Sequence, residues 1–232
     1  MPKLLLFDVD GTLVLTGGAG IRAMGRAFQQ TFQIEGAFTG TSIAGRTDRF
    51  IVAEALARAG IVADAETLHR FRQTYYACLS EEIVHPGPRK GVMPGIRDLL
   101  GRLVAEHQVF VALLTGNYSG AAEIKLAHFD LWRYFRCGAF AEDADERHEL
   151  VPVAMSRVRE CGQFEVALED VVVIGDTPLD VDCARASGVR SIAVATGGFD
   201  ADTLSRSGAD VVFDDLTDAA AFRRALMNFG SA

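Results

Sequence analysis

Two aspartates two residues apart follow directly on an apolar run: Leu4-Leu5-Leu6-Phe7 leads into Asp8-Val9-Asp10-Gly11-Thr12-Leu13. The run has the character of a buried strand, which puts both acids on the rim of a sheet, on one side of an extended segment. Two carboxylates held together out of water are costly unless a cation neutralises them, and sites that bear this cost are commonly catalytic or metal-binding. A second pair follows the apolar residues 171–174, in Gly175-Asp176-Thr177-Pro178-Leu179-Asp180. Thr177 or Asp180 reads as the cap of a helix opened by Pro178, a residue suited to the first helical position. Capping leaves Asp176 unexplained. Acids at two strand ends are expected to offer oxygen ligands to a hard divalent ion, and Mg²⁺ takes one or two carboxylates together with substrate phosphate and water. A third strand end, after residues 109–114, carries Thr115-Gly116-Asn117. A hydroxyl followed by backbone N–H groups at a helix start suits an oxyanion, although Thr there also serves as a plain N-cap.

The elements that must position these groups are legible as apolar runs. Short runs recur at 3–7, 109–114, 138–141, 171–174, 191–194 and 211–213. Most lack strict alternation, as expected of strands covered on both faces in a parallel sheet. Segments 95–106, 150–161, 179–187 and 217–228 have helical periodicity; in the first, Ile96, Leu99, Leu100 and Leu103 form a stripe. Strand alternating with helix predicts a doubly wound α/β fold, with the ligand site at the carboxyl ends of the strands. One block breaks the alternation. Residues 21–32, 49–59 and 65–84 read as helices, 36–45 and 86–95 as loops, and no strand is expected between Leu13 and about Pro94. A block this large exceeds an ordinary connection and is expected to form an all-helical cap domain, residues 14–94, inserted in a core of residues 1–13 and 95–232. Its stems, 14–18 and 89–94, contain glycine, which permits a hinge.

Composition narrows the classes. The chain has 232 residues, 49% hydrophobic and 23% charged, which is ordinary for a globular protein. A net charge of −8 argues against nucleic acid and anionic membranes as partners. No secretory signal is expected at the N-terminus, because Asp8 and Asp10 interrupt its only apolar run, and no stretch is long enough to span a bilayer. The cysteines, Cys78, Cys137, Cys161 and Cys183, are widely spaced, without a CxxC pattern. Four reduced, buried thiols in a cytoplasmic protein are expected. The five histidines lack metal-ligand spacing. Thr16-Gly17-Gly18-Ala19-Gly20 lacks a GK[ST] ending and reads as a stem or turn rather than a phosphate loop.

FDVDGTL, LLTGN and VVIGDTPLD, in this order, resemble the first, second and fourth motifs of the haloacid dehalogenase superfamily of hydrolases. The helical insertion resembles the cap of the subfamily with an α-helical lid, and Gly45-Arg46-Thr47-Asp48 and Pro94-Gly95-Ile96 look like its cap and stem signatures. The resemblance implies that Asp8 is the nucleophile, forming an aspartyl-phosphate, and that Asp10 is the general acid and then base. It implies Mg²⁺ bound by Asp8, Asp176 and the Asp10 backbone carbonyl, with Asp180 behind them. Thr115, Gly116 and Asn117 would bind the phosphoryl group.

The third motif departs from the family pattern, which supplies a lysine between the second and fourth motifs. The lysines here are Lys3, Lys90 and Lys125. Lys125 lies too early and is expected to be solvated. Arg147 is the positional substitute and can clamp two phosphoryl oxygens; the competing reading pairs it with Asp143, Asp145 or Glu146. Arg46 is a candidate for substrate choice at the mouth of the site, with an ordinary solvated arginine as the alternative. Relatives that displace halide do not need the acid at Asp10, and phosphonate-cleaving relatives usually have a small residue there. The expected activity is therefore hydrolysis of a small phosphorylated metabolite. The alternatives are a phosphomutase of the β-phosphoglucomutase type, a phospho-accepting receiver module and a silent scaffold.

Overall fold

The computed structural model describes residues 2–162 and 164–229. In chain order its elements are β1 (Lys3–Phe7), β2 (Val14–Leu15), α1 (Ala19–Phe32), α2 (Asp48–Arg58), α3 (Ala65–Glu82), β3 (Gly91–Val92), α4 (Ile96–Leu103), β4 (Val109–Leu114), α5 (Ser119–His128), β5 (Gly138–Ala139), α6 (Leu150–Gly162), β6 (Val171–Gly175), α7 (Pro178–Ala186), β7 (Arg190–Val194), α8 (Ala201–Arg206), β8 (Val211–Phe213) and α9 (Ala219–Asn228). Short 3₁₀ turns cover Trp132–Tyr134, Arg147–Glu149 and Leu168–Asp170.

Six strands form one parallel sheet in the order β5-β4-β1-β6-β7-β8. The apolar run of β1 follows from its central place in that order. Leu5 and Phe7 join one core with Ile96, Leu99, Leu100 and Phe222; Leu4 and Leu6 join the opposite core with Leu150, Val151, Ala154 and Val158. Both faces are dry, so every position of the strand is apolar. In register, Phe7 stands opposite Leu113 of β4 and Ile174 of β6. The three strands thus end side by side, where the chain order of the sheet reverses. Such switch points are where doubly wound sheets bind ligands.

Helices α1, α2 and α3 pack around their own apolar cluster, which includes Met24, Phe28, Ile51, Leu56, Phe71 and Leu79. Tyr118 and Ala121 at the start of α5 share it, so the helical layer rests on the side of the sheet that carries the strand ends. Its two connections are not plain coil. Val14 pairs with Val92 and Leu15 with Gly91, an antiparallel ribbon of β2 and β3 where no strand was expected. Two residues per strand carry no readable alternation.

The expectation of four free thiols is corrected. Cys137 and Cys161 are joined in a disulfide, while Cys78 and Cys183 are free and buried. The 24-residue separation conceals the pairing, which arises because α6 packs against β5 and brings the two Cα atoms to 6.7 Å. The cytoplasmic reading loses the part of its support that rested on reduced thiols. Among the described residues no helix is long and apolar enough to cross a membrane.

Candidate active site

The sheet delivers the acids as its register requires. The Asp8 N–H donates to the Ile174 carbonyl at 2.9 Å, so Asp8 continues β1 by one bond and leaves its carboxyl at the strand tip. Asp176 directly follows β6, one residue beyond the level of Asp8, and accepts a hydrogen bond from the Thr12 hydroxyl at 3.1 Å. Asp180 lies in the first turn of α7 and forms a capping box with Thr177: its Oδ2 accepts from the Thr177 N–H (3.0 Å) and hydroxyl (2.7 Å). All three acids are buried, and one carboxylate oxygen from each lies within 4.8 Å of the others. Gly11, at φ +84°, makes room for this cluster; a Cβ there would sit 2.3 Å from Asp176 Oδ2.

Arg147 enters the same cluster. One terminal nitrogen lies 2.5 Å from Asp180 Oδ1 and 3.1 Å from Asp8 Oδ1, and the other donates to the Gly45 carbonyl at 2.7 Å. Its Nε is buried and has no hydrogen-bond partner among the described residues. The sequence-adjacent acids are engaged elsewhere, Asp143 with Arg157 and Asp145 with Arg49. Both Asp180 oxygens are taken, by Arg147 and Thr177. Asp8 and Asp176 therefore keep the greater capacity for a cation.

The electrostatics agree. Burial pushes the Asp8 carboxyl up to about 6, with Arg147 pulling it down and Asp180 and Asp10 pushing it further up. Burial, then Asp180 and Asp8, hold Asp176 well above the ordinary carboxylate range. One arginine does not fully offset these carboxylates. Buried hard oxygens with uncompensated charge fit a divalent metal ion.

The second strand end builds a different network. Thr115, fully buried, accepts at its Oγ1 from the Asn117 N–H (3.2 Å) and side-chain amide (2.9 Å). The Asn117 amide also donates to Asp10 Oδ2 at 2.8 Å. Lys125 completes the set, reaching Asp10 Oδ2 at 2.5 Å and Asn117 Oδ1 at 2.5 Å. Lys125 is therefore not solvated, as its place in the sequence had suggested: it is 4% exposed. Side chains on a helix slope toward its N-terminus, so the long stem of Lys125 runs back along α5 to the strand end, beneath the helical layer. Ala121, Ala122, Lys125 and Leu126 form one buried stripe of α5.

The helical layer contributes through the loop before α2. The Asp48 N–H donates to the Gly116 carbonyl at 2.6 Å, and Asp48 Oδ2 accepts from the Tyr118 N–H at 2.9 Å. Burial raises the Asp48 carboxyl to about 7, against the pull of Lys125 and of that hydrogen bond. Contact here is tight: a Cβ on Gly116 would fall 2.4 Å from the Arg46 carbonyl oxygen. The Arg46 side chain turns onto α2, its guanidinium 4.6 Å from the Phe50 ring centre and 3.9 Å from Glu54, and also lines the cavity. Arg89 reaches from the other connection to the carbonyls of Thr196 (2.5 Å) and Gly197 (3.2 Å). A cavity of about 400 Å³ lies between the layers, lined among others by Asp8, Asp10, Asp176, Arg147, Lys125 and Tyr75. Asp48, Lys125, Tyr75 and Arg89 were not among the sequence candidates. His148 is exposed, as expected; residues 16–18 lead into α1, which already includes Ala19 and Gly20.

A family model described as haloacid dehalogenase-like hydrolase matches residues 5–194. The chain belongs to that family. Phosphoglycolate phosphatase from Chromobacterium violaceum is 28% identical over 223 residues, 93% of this chain and 94% of that protein. Phosphoglycolate phosphatase 1 from Pseudomonas aeruginosa is 27% identical over 223 residues, 94% of this chain and 78% of that protein. The crystal structure of β-phosphoglucomutase from Clostridium difficile covers 100% of both chains with a TM-score of 0.73 at 16% identity, a likeness of fold. The strand ends occupied by Asp8, Thr115 and Asp176 all lie within the matched residues.

Proposed function

We propose that the protein is a Mg²⁺-dependent phosphatase that hydrolyses a small phosphate monoester through an aspartyl-phosphate on Asp8. The observation that carries this reading is the convergence of a buried Asp8, Asp176 and an Arg147 with an unpartnered Nε on one cavity, with Asp10 held two residues away by Lys125 and Asn117. Bound Mg²⁺, held by Asp8, Asp176 and the Asp10 carbonyl, would screen the repulsion between the nucleophile and the anionic ester.

A carboxylate oxygen of Asp8 forms a bond to phosphorus as the ester P–O bond breaks. Asp10, as the general acid, gives a proton to the leaving alkoxide. Asp10, now a carboxylate, takes a proton from the water that attacks phosphorus, and the Asp8–P bond breaks to release phosphate. The Arg147 Nε and the Thr115–Asn117 segment supply donors to the phosphoryl oxygens. Asp180 orients Arg147 rather than holding the metal. Residues 14–94 act as a cap over the core of residues 1–13 and 95–232; the contacts of Gly45, Asp48 and Arg89 represent its closed position.

The test is release of phosphate from p-nitrophenyl phosphate in Mg²⁺. The wild-type protein turns over, and Asp8→Asn loses on the order of 10³-fold or more in kcat. Retained turnover in that variant removes Asp8 as the nucleophile. A mutase would instead return an isomeric phosphate ester without net release.

A further inference from the structure

The cavity has a second wall, away from the phosphoryl centre, formed by the helical layer. Tyr75 on α3 lines it. The side chain is fully buried, and its Oη has no hydrogen-bond partner among the described residues. A buried phenol ordinarily finds a partner, so this one is matched to a group that enters the cavity. Gly20 of α1 faces the same spot: a Cβ there would lie 3.8 Å from Tyr75 Oη and 3.4 Å from Lys125 Nζ. Two polar heads thus converge on one point of the wall. An ammonium has three N–H donors. Lys125 spends two, on Asp10 and Asn117, and the third has no acceptor among the described residues.

Charge decides what fits. The charges felt at the phenol are Asp48 and Asp10, which with burial hold Tyr75 well above its ordinary pKa. The Lys125 charge is met by the same two acids. Arg46 and Arg89 also line the cavity, but Arg46 stacks on Phe50 beside Glu54 and Arg89 is held by the Thr196 and Gly197 carbonyls, so neither is bonded to Tyr75 or Lys125. At the point where Tyr75 and Lys125 converge, the wall therefore offers hydrogen bonds from a neutral phenol and from an ammonium already paired with Asp10. A carboxylate placed there would compete with Asp10 for the Lys125 ammonium, whereas a hydroxyl accepts from Tyr75 or Lys125 and is neutral. Met24 and Ile51 beside it suit a short carbon skeleton.

We propose that Tyr75 Oη and Lys125 Nζ form a subsite for a neutral hydroxyl of the leaving group, so that the substrate is the phosphate monoester of a polyol or sugar rather than of a hydroxy acid. This rests on the phosphatase reading and narrows it. It also separates this chain from relatives named for phosphoglycolate.

Steady-state rates with glycerol 1-phosphate, ribose 5-phosphate, 2-phosphoglycolate and methyl phosphate test it. At least one of the first two exceeds 2-phosphoglycolate in kcat/KM by about tenfold or more, and Tyr75→Phe lowers its preference over methyl phosphate by about 10- to 100-fold. Gly20→Ala, whose methyl group fills the converging point at ordinary contact distances, lowers the same preference. A wild-type preference for 2-phosphoglycolate, or a Tyr75→Phe loss equal for all esters, overturns the subsite. Calorimetry with Asp8→Asn protein reads the subsite without turnover: adding Tyr75→Phe weakens binding of the polyol or sugar ester more than that of methyl phosphate, and equal weakening overturns the proposal. Absence of any phosphate release by the wild-type protein fails the phosphatase reading alone, and the binding contrast still decides the subsite.

Discussion

Arg147 joins Asp8, Asp180 and the Gly45 carbonyl through one planar group. A lysine ammonium, a single nitrogen, lacks the planar fork by which separate nitrogens reach the two acids and the Gly45 carbonyl. Arg147→Ala is expected to lower kcat/KM on the order of 10²-fold or more and to cost several kcal/mol of stability, because it leaves buried carboxylates unpaired. Arg157→Ala, which breaks a pair with Asp143 away from the cavity, is expected to change kcat/KM far less. Equal losses in the two variants would leave the phosphate clamp unassigned. Lys125→Met is expected to lower kcat by about 10- to 100-fold, since it releases Asp10 from the orientation that proton transfer requires. An unchanged kcat would assign that orientation to Asn117 alone. Without metal, the folded Asp8 carboxyl titrates at about 6 against 3.8 when unfolded. Folded protein then binds more protons than unfolded between these values, so metal-free stability falls as pH rises through the interval. Thermal melts in chelator are expected to drop from pH 4.5 to 7, and added Mg²⁺ to raise the midpoint more at pH 7 than at pH 5. A melting midpoint indifferent to Mg²⁺ at pH 7 would remove the metal site. The acids were legible from sequence because charge directly after an apolar strand has no structural excuse. Lys125 and Tyr75 were not, since each looks like an ordinary helix residue until a second helix covers it.

The elements place these groups with little freedom. β1, β4 and β6 end within one residue of register, which brings Asp8, Thr115 and Asp176 to adjacent strand tips before any side chain chooses a rotamer. That much could be read from continuous apolar runs, which only a doubly covered strand needs. The β2–β3 ribbon could not be read, because two-residue strands leave no periodic trace, and the Cys137–Cys161 pairing depends on a packing that spacing does not reveal. Close approach of the loop before α2 depends on Gly116 having no side chain. Gly116→Ala would push a methyl group into the Arg46 carbonyl at 2.4 Å, so that loop must lift. The expected result is a stability cost of roughly 1–3 kcal/mol and a rise in KM. Wild-type values for both would show that the docked loop plays no part in binding.

Across the whole molecule, a net charge of −8 gives an anionic ester no general attraction, so capture depends on the local cations and a bound metal ion. The helical layer lines one side of the cavity that holds these groups. Hydrogen exchange at Asp48 and its neighbours is expected to slow when Mg²⁺ and phosphate are added together, as the layer is held shut. The account as a whole turns on covalent chemistry at the tip of β1. The most direct measurement is the mass of the peptide containing Asp8 after an acid quench during turnover in Mg²⁺. The account predicts an added phosphoryl group on that peptide, absent in Asp8→Asn. Steady phosphate release with no phosphorylated Asp8, sustained by the Asp8→Asn protein, would contradict it.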